Sequence, residues 1–174
     1  SKPGGPATPS LTLRIARHAT SIGIGQVAVI GYSVADTVMT GRHDSADLAA
    51  LSLVITDKGA YFLADTQVAM DPTAEEIAAT AVLAASHVRR FGLTPKIALV
   101  SHSDFGSYDS ASSRKMRQAC AILTARHPEL EVEGEMHGDS ALSPMHRERV
   151  FPHSRLKGEA NVLIMPNLDA ANIS

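Results

Sequence analysis

The sequence predicts an α/β fold, three layers deep in the order α/β/α, around a mostly parallel sheet of about five strands. Two observations carry this. Short runs rich in Val, Ile and Leu alternate with amphipathic stretches of about fifteen residues, the pattern of a sheet crossed by helices. One of the runs, Lys96 to Val100, is apolar throughout after its first residue, as a strand covered on both faces must be.

Taken in order, the elements are these. SKPGGPATPS, residues 1–10, is rich in Pro, Gly and Ser and is expected to be a flexible leader, with the domain over residues 11–174. Leu11 to Ile15 and Val27 to Ile30 have strand composition. Between them GIGQVA, residues 23–28, fits the loose dinucleotide pattern G-x-G-x-x-A. Strand-like VAVIGY follows where a helix is required, so the motif reads as a glycine turn. Leu48 to Ile55 and Ala60 to Ala64 form a predicted hairpin, its turn at Asp57-Lys58-Gly59 with the glycine at positive φ. Thr73 and Glu76 fit a capping box opening a helix that runs to Phe91, with Ile77, Ala81, Val82, Ala85, Val88 and Phe91 as its apolar stripe and Gly92 just past its end. Lys96 to Val100 is the next strand. A second amphipathic helix follows from about Ser112 to Arg126, with Met116, Cys120, Ile122 and Leu123 inward. Leu130 to Met136 and Val162 to Met165 are the remaining strands, and the charged stretch around His146, Arg147, Glu148 and Arg149 forms a short helix between them. Asn167 opens a last helix that stops after about one turn, so the chain is expected to be a piece of a longer polypeptide.

Composition narrows the function. In 174 residues, 44% are apolar and 20% charged, with a formal charge of −2, so the basic excess of a nucleic-acid binder is missing. No apolar run reaches the ~18 residues of a membrane helix. With Cys120 as the only cysteine there is neither an intrachain disulfide nor a thiolate zinc site, and a reducing, cytoplasmic setting is expected.

In parallel α/β sheets ligands bind beyond the carboxyl ends of the strands. Three segments fall there: Ser101 to Ser107, Gly134 to Asp139, and Asn167 to Asn172. Ser101, Ser103, Gly106 and Ser107 combine hydroxyls and a glycine ahead of a helix N-terminus, which suits a phosphate-like anion; the alternative is that the serines only cap that helix. Asn167 and Asn172 are assigned to the same ligand cleft. Glu131, Glu133, Glu135 and Asp139 lie near His137 and His146, but glutamates two apart on a strand mark a solvated face, and no metal ligands are assigned. Asp65 and Thr66 are either a turn or part of the site. Cys120 faces inward and reads as core, His87 and His127 as surface or packed residues. G-x-S-x-G is absent, so no catalytic triad is deduced.

Five segments together resemble the phosphotransacetylase (phosphate acetyl/butyryl transferase) family: YFLADTQV (61–68), DPTAEEIA (71–78), VRRFG (88–92), EGEMHGD (133–139) and LKGEANVLIMPN (156–167). With SHSDFGS (101–107) and SRKMR (113–117), the match looks most like the phosphotransacetylase-like domain of bacterial NADP-dependent malic enzymes. It covers roughly residues 41–174. The resemblance implies one lobe, the second, of a two-lobed fold related to isocitrate dehydrogenase, with acyl-CoA and phosphate meeting between lobes. It also implies that the family's catalytic Ser-Arg pair and following Asp lie beyond Ser174, so no catalytic residue is assigned here. Acetyl-CoA or phosphate is the implied ligand. NADP and a divalent metal belong only to an attached malic-enzyme region. The implied role is an acetyl-CoA-responsive regulatory and homo-oligomerising module; a phosphate acyltransferase and a purely structural dimerisation module are the alternatives.

Overall fold

The structure is a computed structural model and describes residues 37–40, 49–64 and 70–173. The leader, the GIGQVA turn, the two early strand readings, and Asp65 with Thr66 lie outside the described residues. Along the chain the elements are β1 (Thr37–Thr40), β2 (Ala49–Ile55), β3 (Ala60–Ala64), α1 (Ala74–Arg90), β4 (Lys96–Val100), α2 (Ala111–Arg126), β5 (Glu131–Met136), α3 (Gly138–Leu142), α4 (Pro144–Val150), β6 (Val162–Ile164) and α5 (Leu168–Ile173).

The described strands form one sheet in the order β1-β2-β3-β6-β4-β5, one strand more than expected. β3, β6, β4 and β5 are parallel, while β1 and β2 pair antiparallel at one edge. The hairpin β2–β3 is present, but its turn is not held by a positive-φ glycine, since Gly59 is not among the glycines with positive φ. Thr56 holds it instead. Its Oγ1 accepts from the Lys58 and Gly59 amides, both at 3.2 Å, and its amide donates to the Gly59 carbonyl at 2.8 Å.

The pleat sends Phe62, Ala64, Ile97, Leu99, Val162 and Ile164 to one face, where they bury against α1 and α2. Leu63, Ala98, Leu163 and Met165 join a second core with Ala141 of α3, Leu156, Ala160 and Ala171 of α5. The expected three layers follow from this two-sided burial. The stripe of α1 is inward at Ile77, Ala81, Ala85 and Val88, with Val82 and Phe91 partly buried at its margin. Its N-terminus carries the expected capping box: Glu76 N donates to Thr73 Oγ1 at 3.2 Å and Thr73 N to Glu76 Oε2 at 2.7 Å. Gly92 takes a φ of 74° just past the C-cap, a conformation that suits glycine.

The second face departs from the sequence reading in one respect. The charged stretch yields α4, preceded by the unexpected α3, and its Arg147 is only 1% exposed. The guanidinium donates to four backbone carbonyls, those of Ser140 at 2.8 Å, Ala141 at 3.3 Å, Leu156 at 3.2 Å and Gly158. A planar fork of donors fits such a carbonyl cage where a lysine's point charge would not.

Candidate functional site

Because β3, β6, β4 and β5 are parallel, the segments after them emerge at one edge of the sheet. The loop after β4 and the segment after β5 are laced together there. Ser101 N donates to Met136 O at 2.8 Å, Phe105 N to Glu135 O at 2.8 Å, and His137 N to Asp104 Oδ1 at 2.7 Å. Phe105 and Gly106 both have positive φ, 47° and 87°, which turns the loop sharply back toward β5.

At the centre of this lacing is a carboxylate. The expectation that Glu131, Glu133 and Glu135 share a solvated face is overturned: Glu135 is fully buried and Glu133 nearly so. Glu135 Oε1 accepts from Ser103 Oγ at 2.8 Å, from the Gly106 amide at 2.9 Å and from Arg117 Nη1 at 2.8 Å. Glu133 Oε2 accepts from the Arg155 amide at 2.7 Å, and Glu131 Oε1 from the Lys157 amide. The alternating glutamates thus anchor neighbouring segments, since a buried carboxylate must be paired and hydrogen-bonded.

The serine loop folds around this internal anion. Ser103 is 0% exposed, and besides donating to Glu135 its Oγ accepts from Tyr108 N at 3.0 Å. Ser101 is buried, and its Oγ accepts from Ser103 N at 3.3 Å. Neither serine caps α2. Ser110 does so, with Ser113 N donating to Ser110 Oγ at 3.0 Å and Ser110 N to Ser113 Oγ at 2.8 Å. Gly106 and Ser107 remain exposed. Ser107 Oγ accepts from Asp104 N at 2.9 Å and lies 3.4 Å from Ser103 Oγ; because Ser103 gives its proton to Glu135, Ser107 is the donor in that contact. Asn167 and Asn172 serve their own helix, Asn167 Oδ1 accepting from Ala170 N at 2.9 Å and Asn172 Nδ2 donating to Leu168 O at 2.9 Å.

Arg117 links the buried anion to the surface: its Nη2 donates to Asp109 Oδ1 at 2.7 Å while Nη1 holds Glu135. Arg114 and then Arg117, bonded to Asp109, hold that carboxyl below the usual carboxylate range. Beside this pair an open groove of about 520 Å³ runs between Phe105, Phe151 and α2, with Cys120 in its wall. Burial, with Glu133's charge next in weight, pushes the Cys120 thiol up to about 11, so at neutral pH it is a protonated packing group and not a nucleophile. Sequence reasoning missed the role of Glu135. The one local signal is Gly134 between two glutamates, since glycine inside a strand marks a bulge or a close backbone approach.

The fold is that of a mixed α/β domain with a largely parallel sheet, and residues 33–174 match the phosphate acetyl/butaryl transferase family. The chain belongs to that family. It is 59% identical over 133 residues to an NAD-dependent malic enzyme of Rhizobium meliloti (strain 1021), covering 76% of this chain and 17% of the relative. It is 48% identical over 143 residues to the NADP-dependent malic enzyme of Escherichia coli (strain K12), covering 82% and 19%. Identity is 31% over 158 residues to the phosphate acetyltransferase of Bacillus subtilis (strain 168), covering 80% and 49%. Among solved structures, a EutD phosphotransacetylase from Staphylococcus aureus superposes with a TM-score of 0.66 at 31% identity, over 71% of this chain and 38% of that one. The chain therefore spans less than a fifth of these malic enzymes and about half of the transferase. It is a phosphotransacetylase-like domain of the kind found in both. Among the described residues, no helix is long and apolar enough to cross a membrane.

Proposed function

We propose that this chain is the phosphotransacetylase-like module of a cytoplasmic malic enzyme, and that it makes malate oxidation responsive to acetyl-CoA without transferring the acetyl group itself. The observation that carries the reading is the 59% identity to a malic enzyme of which the match covers only 17%. The site geometry supports it. Ser103 and the Gly106 amide already hold the Glu135 carboxylate, so the loop is closed on an internal anion and offers few donors for a phosphate undergoing chemistry. Ser107, the exposed hydroxyl of the loop, is the contact for an acyl-CoA or phosphate ligand, exchanging its long 3.4 Å bond to Ser103 for one to the ligand, with Ser101, Ser103 and Gly106 shaping the loop and Asn167 and Asn172 the neighbouring helix. Homo-oligomerisation belongs to the same reading, and the exposed Leu142, Met145 and Val150 on α3 and α4 are apolar surface that assembly would cover.

The test uses the full-length protein. Acetyl-CoA is titrated against malate-dependent reduction of the nicotinamide cofactor, and acetyl phosphate is assayed in the presence of acetyl-CoA and phosphate. The expected result is a change in malate oxidation with no acetyl phosphate formed. Ser107→Ala removes one hydrogen bond of roughly 0.5–1.5 kcal/mol and shifts the half-maximal acetyl-CoA concentration by about 2- to 13-fold. Superimposable curves for the parent and Ser107→Ala remove Ser107 from the site. Steady production of acetyl phosphate replaces this reading with that of a phosphate acyltransferase, which the 31% identity to the Bacillus subtilis enzyme favours.

A further inference from the structure

We propose that Asp104, His137 and Asp139 form a binding site for one divalent first-row transition-metal ion at the carboxyl edge of the sheet. A carboxylate oxygen of each aspartate and a ring nitrogen of His137 lie within 4.8 Å of one another. The ligands come from the loop after β4 and from the start of α3 after β5, which are already tied together, so the site is framed by backbone and not only by side chains.

The decisive observation is how the His137 ring is held. Its Nε2 lies 2.8 Å from the His102 carbonyl oxygen, which only accepts, so Nε2 carries the proton. The other nitrogen, Nδ1, then turns its lone pair on Asp104 Oδ2 at 3.1 Å. Two electron-pair donors at that separation require a cation between them, a proton or a metal ion. An imidazole whose second nitrogen donates to a backbone carbonyl is the usual outer-sphere arrangement of a metal-bound histidine, because it fixes both tautomer and ring plane. The His137–Asp104 spacing also fits. With metal–ligand bonds of ~2.1 Å, two neighbouring ligands stand about 3.0 Å apart at a right angle and about 3.4 Å apart at the tetrahedral angle. The 3.1 Å observed falls between.

The carboxylates are arranged to match. Asp104 Oδ1 is held by the His137 amide at 2.7 Å and Asp139 Oδ1 by the Ser140 amide at 2.9 Å. In each, one oxygen is pinned by a backbone amide, and the other oxygen of Asp104 faces His137 Nδ1. The second carboxylate is what a shared proton has no use for and a dication does. His146 Nε2 stands 3.8 Å from Asp139 Oδ2, on a half-exposed side chain, as a further donor at the rim. One imidazole with two carboxylates is a mixed nitrogen and oxygen set, which suits Mn²⁺, Co²⁺ or Zn²⁺ better than Mg²⁺ or Ca²⁺, whose preferred ligands are all oxygen. Three protein ligands leave coordination positions open toward solvent, beside the exposed Ser107.

The test is independent of acetyl-CoA and of any activity. The full-length protein is freed of metal with a chelator and dialysed against Co²⁺ from ~1 μM to ~1 mM, with bound metal counted per chain and the thermal midpoint followed in parallel. Any other metal site in the protein contributes equally to parent and variants, so the readout is the difference. The parent is expected to bind one more Co²⁺ than the double variant Asp104→Asn, His137→Gln. Asp139→Asn, on the exposed arm of the site, is expected to weaken that ion by tenfold or more while leaving the metal-free midpoint unchanged. If the double variant fails to fold, Asp139→Asn and His137→Gln alone decide the matter. Equal Co²⁺ stoichiometry and affinity in the parent and the folded variants overturns the proposal and leaves the cluster an ordinary histidine–aspartate ion pair.

Discussion

Replacing Glu135 by Ala is expected to lower the stability of the domain by about 3–5 kcal/mol, the usual cost of removing one partner from a buried charge pair. The substitution strands three donors at once: Ser103 Oγ, the Gly106 amide and Arg117 Nη1. Ser103 has no route to water, whereas Arg117 is about one-third exposed and keeps Asp109, so its share of the loss is partly screened. Glu135→Gln preserves the shape and an acceptor oxygen but loses the charge, and is expected to cost about 2 kcal/mol. Denaturant unfolding of the three proteins, with midpoints compared at equal slope, measures both. A loss below about 1 kcal/mol for Glu135→Ala would mean that the loop closes on something other than this carboxylate.

Gly134→Ala is expected to be as damaging, for a steric reason. Gly134 has a φ of 151°, and a Cβ built there would sit 2.7 Å from both Leu99 Cβ and the Leu99 carbonyl oxygen. Leu99 belongs to β4, an interior strand of the sheet, so it has nowhere to retreat. Backbone strain of ~1–3 kcal/mol and overpacking of a similar ~1–3 kcal/mol add, giving about 2–6 kcal/mol. The register shift between Leu99 and Val100 opposite this point is where β5 turns Glu135 toward the serine loop. Loss of soluble folded protein, or a midpoint lowered accordingly, is the expected outcome. A variant with the parent's unfolding curve would show that the two strands do not approach this closely.

The comparison of sequence with structure divides along physical lines. Elements that depend on local rules were readable. The α1 helix was marked at both ends by Thr73, Glu76 and Gly92, and its face by a 3.6-residue period. β4 was marked by its unbroken apolar run, and the placement of three polar segments at one edge followed from parallel pairing. The roles of the site residues were not readable, because they depend on contacts between residues far apart in sequence. Gly134 marks a close backbone approach, but nothing in the local sequence shows that Glu135 meets Ser103, thirty-two positions earlier. Arg147 sits in a stretch with the composition of a surface helix, and only the carbonyls of Leu156 and Gly158 make its burial sensible. The polar content of the serine loop answers to an internal carboxylate, Glu135, before any external ligand. The capping of α2 falls to Ser110, which lies just beyond the loop serines Ser101, Ser103 and Ser107.

Arg147 also bears on how the molecule opens. One guanidinium reaches carbonyls on α3, on its C-terminal half, and on the segment at Leu156 and Gly158, so none of these can leave the sheet without breaking the same cage. Segments bound to one common group detach together, as a single cooperative unit. In native-state hydrogen exchange, the amides of Ala141, Phe151 and Ala160, each bonded to a backbone carbonyl, should share one opening free energy and one denaturant dependence. The amides of α1, which lies across the sheet from this cage, should follow a separate and higher one. Short helices such as α3 and α4 have too few turns to persist on their own. Tied through Arg147, they exchange as part of a larger body, and the carboxyl edge of the sheet that they border moves as one piece.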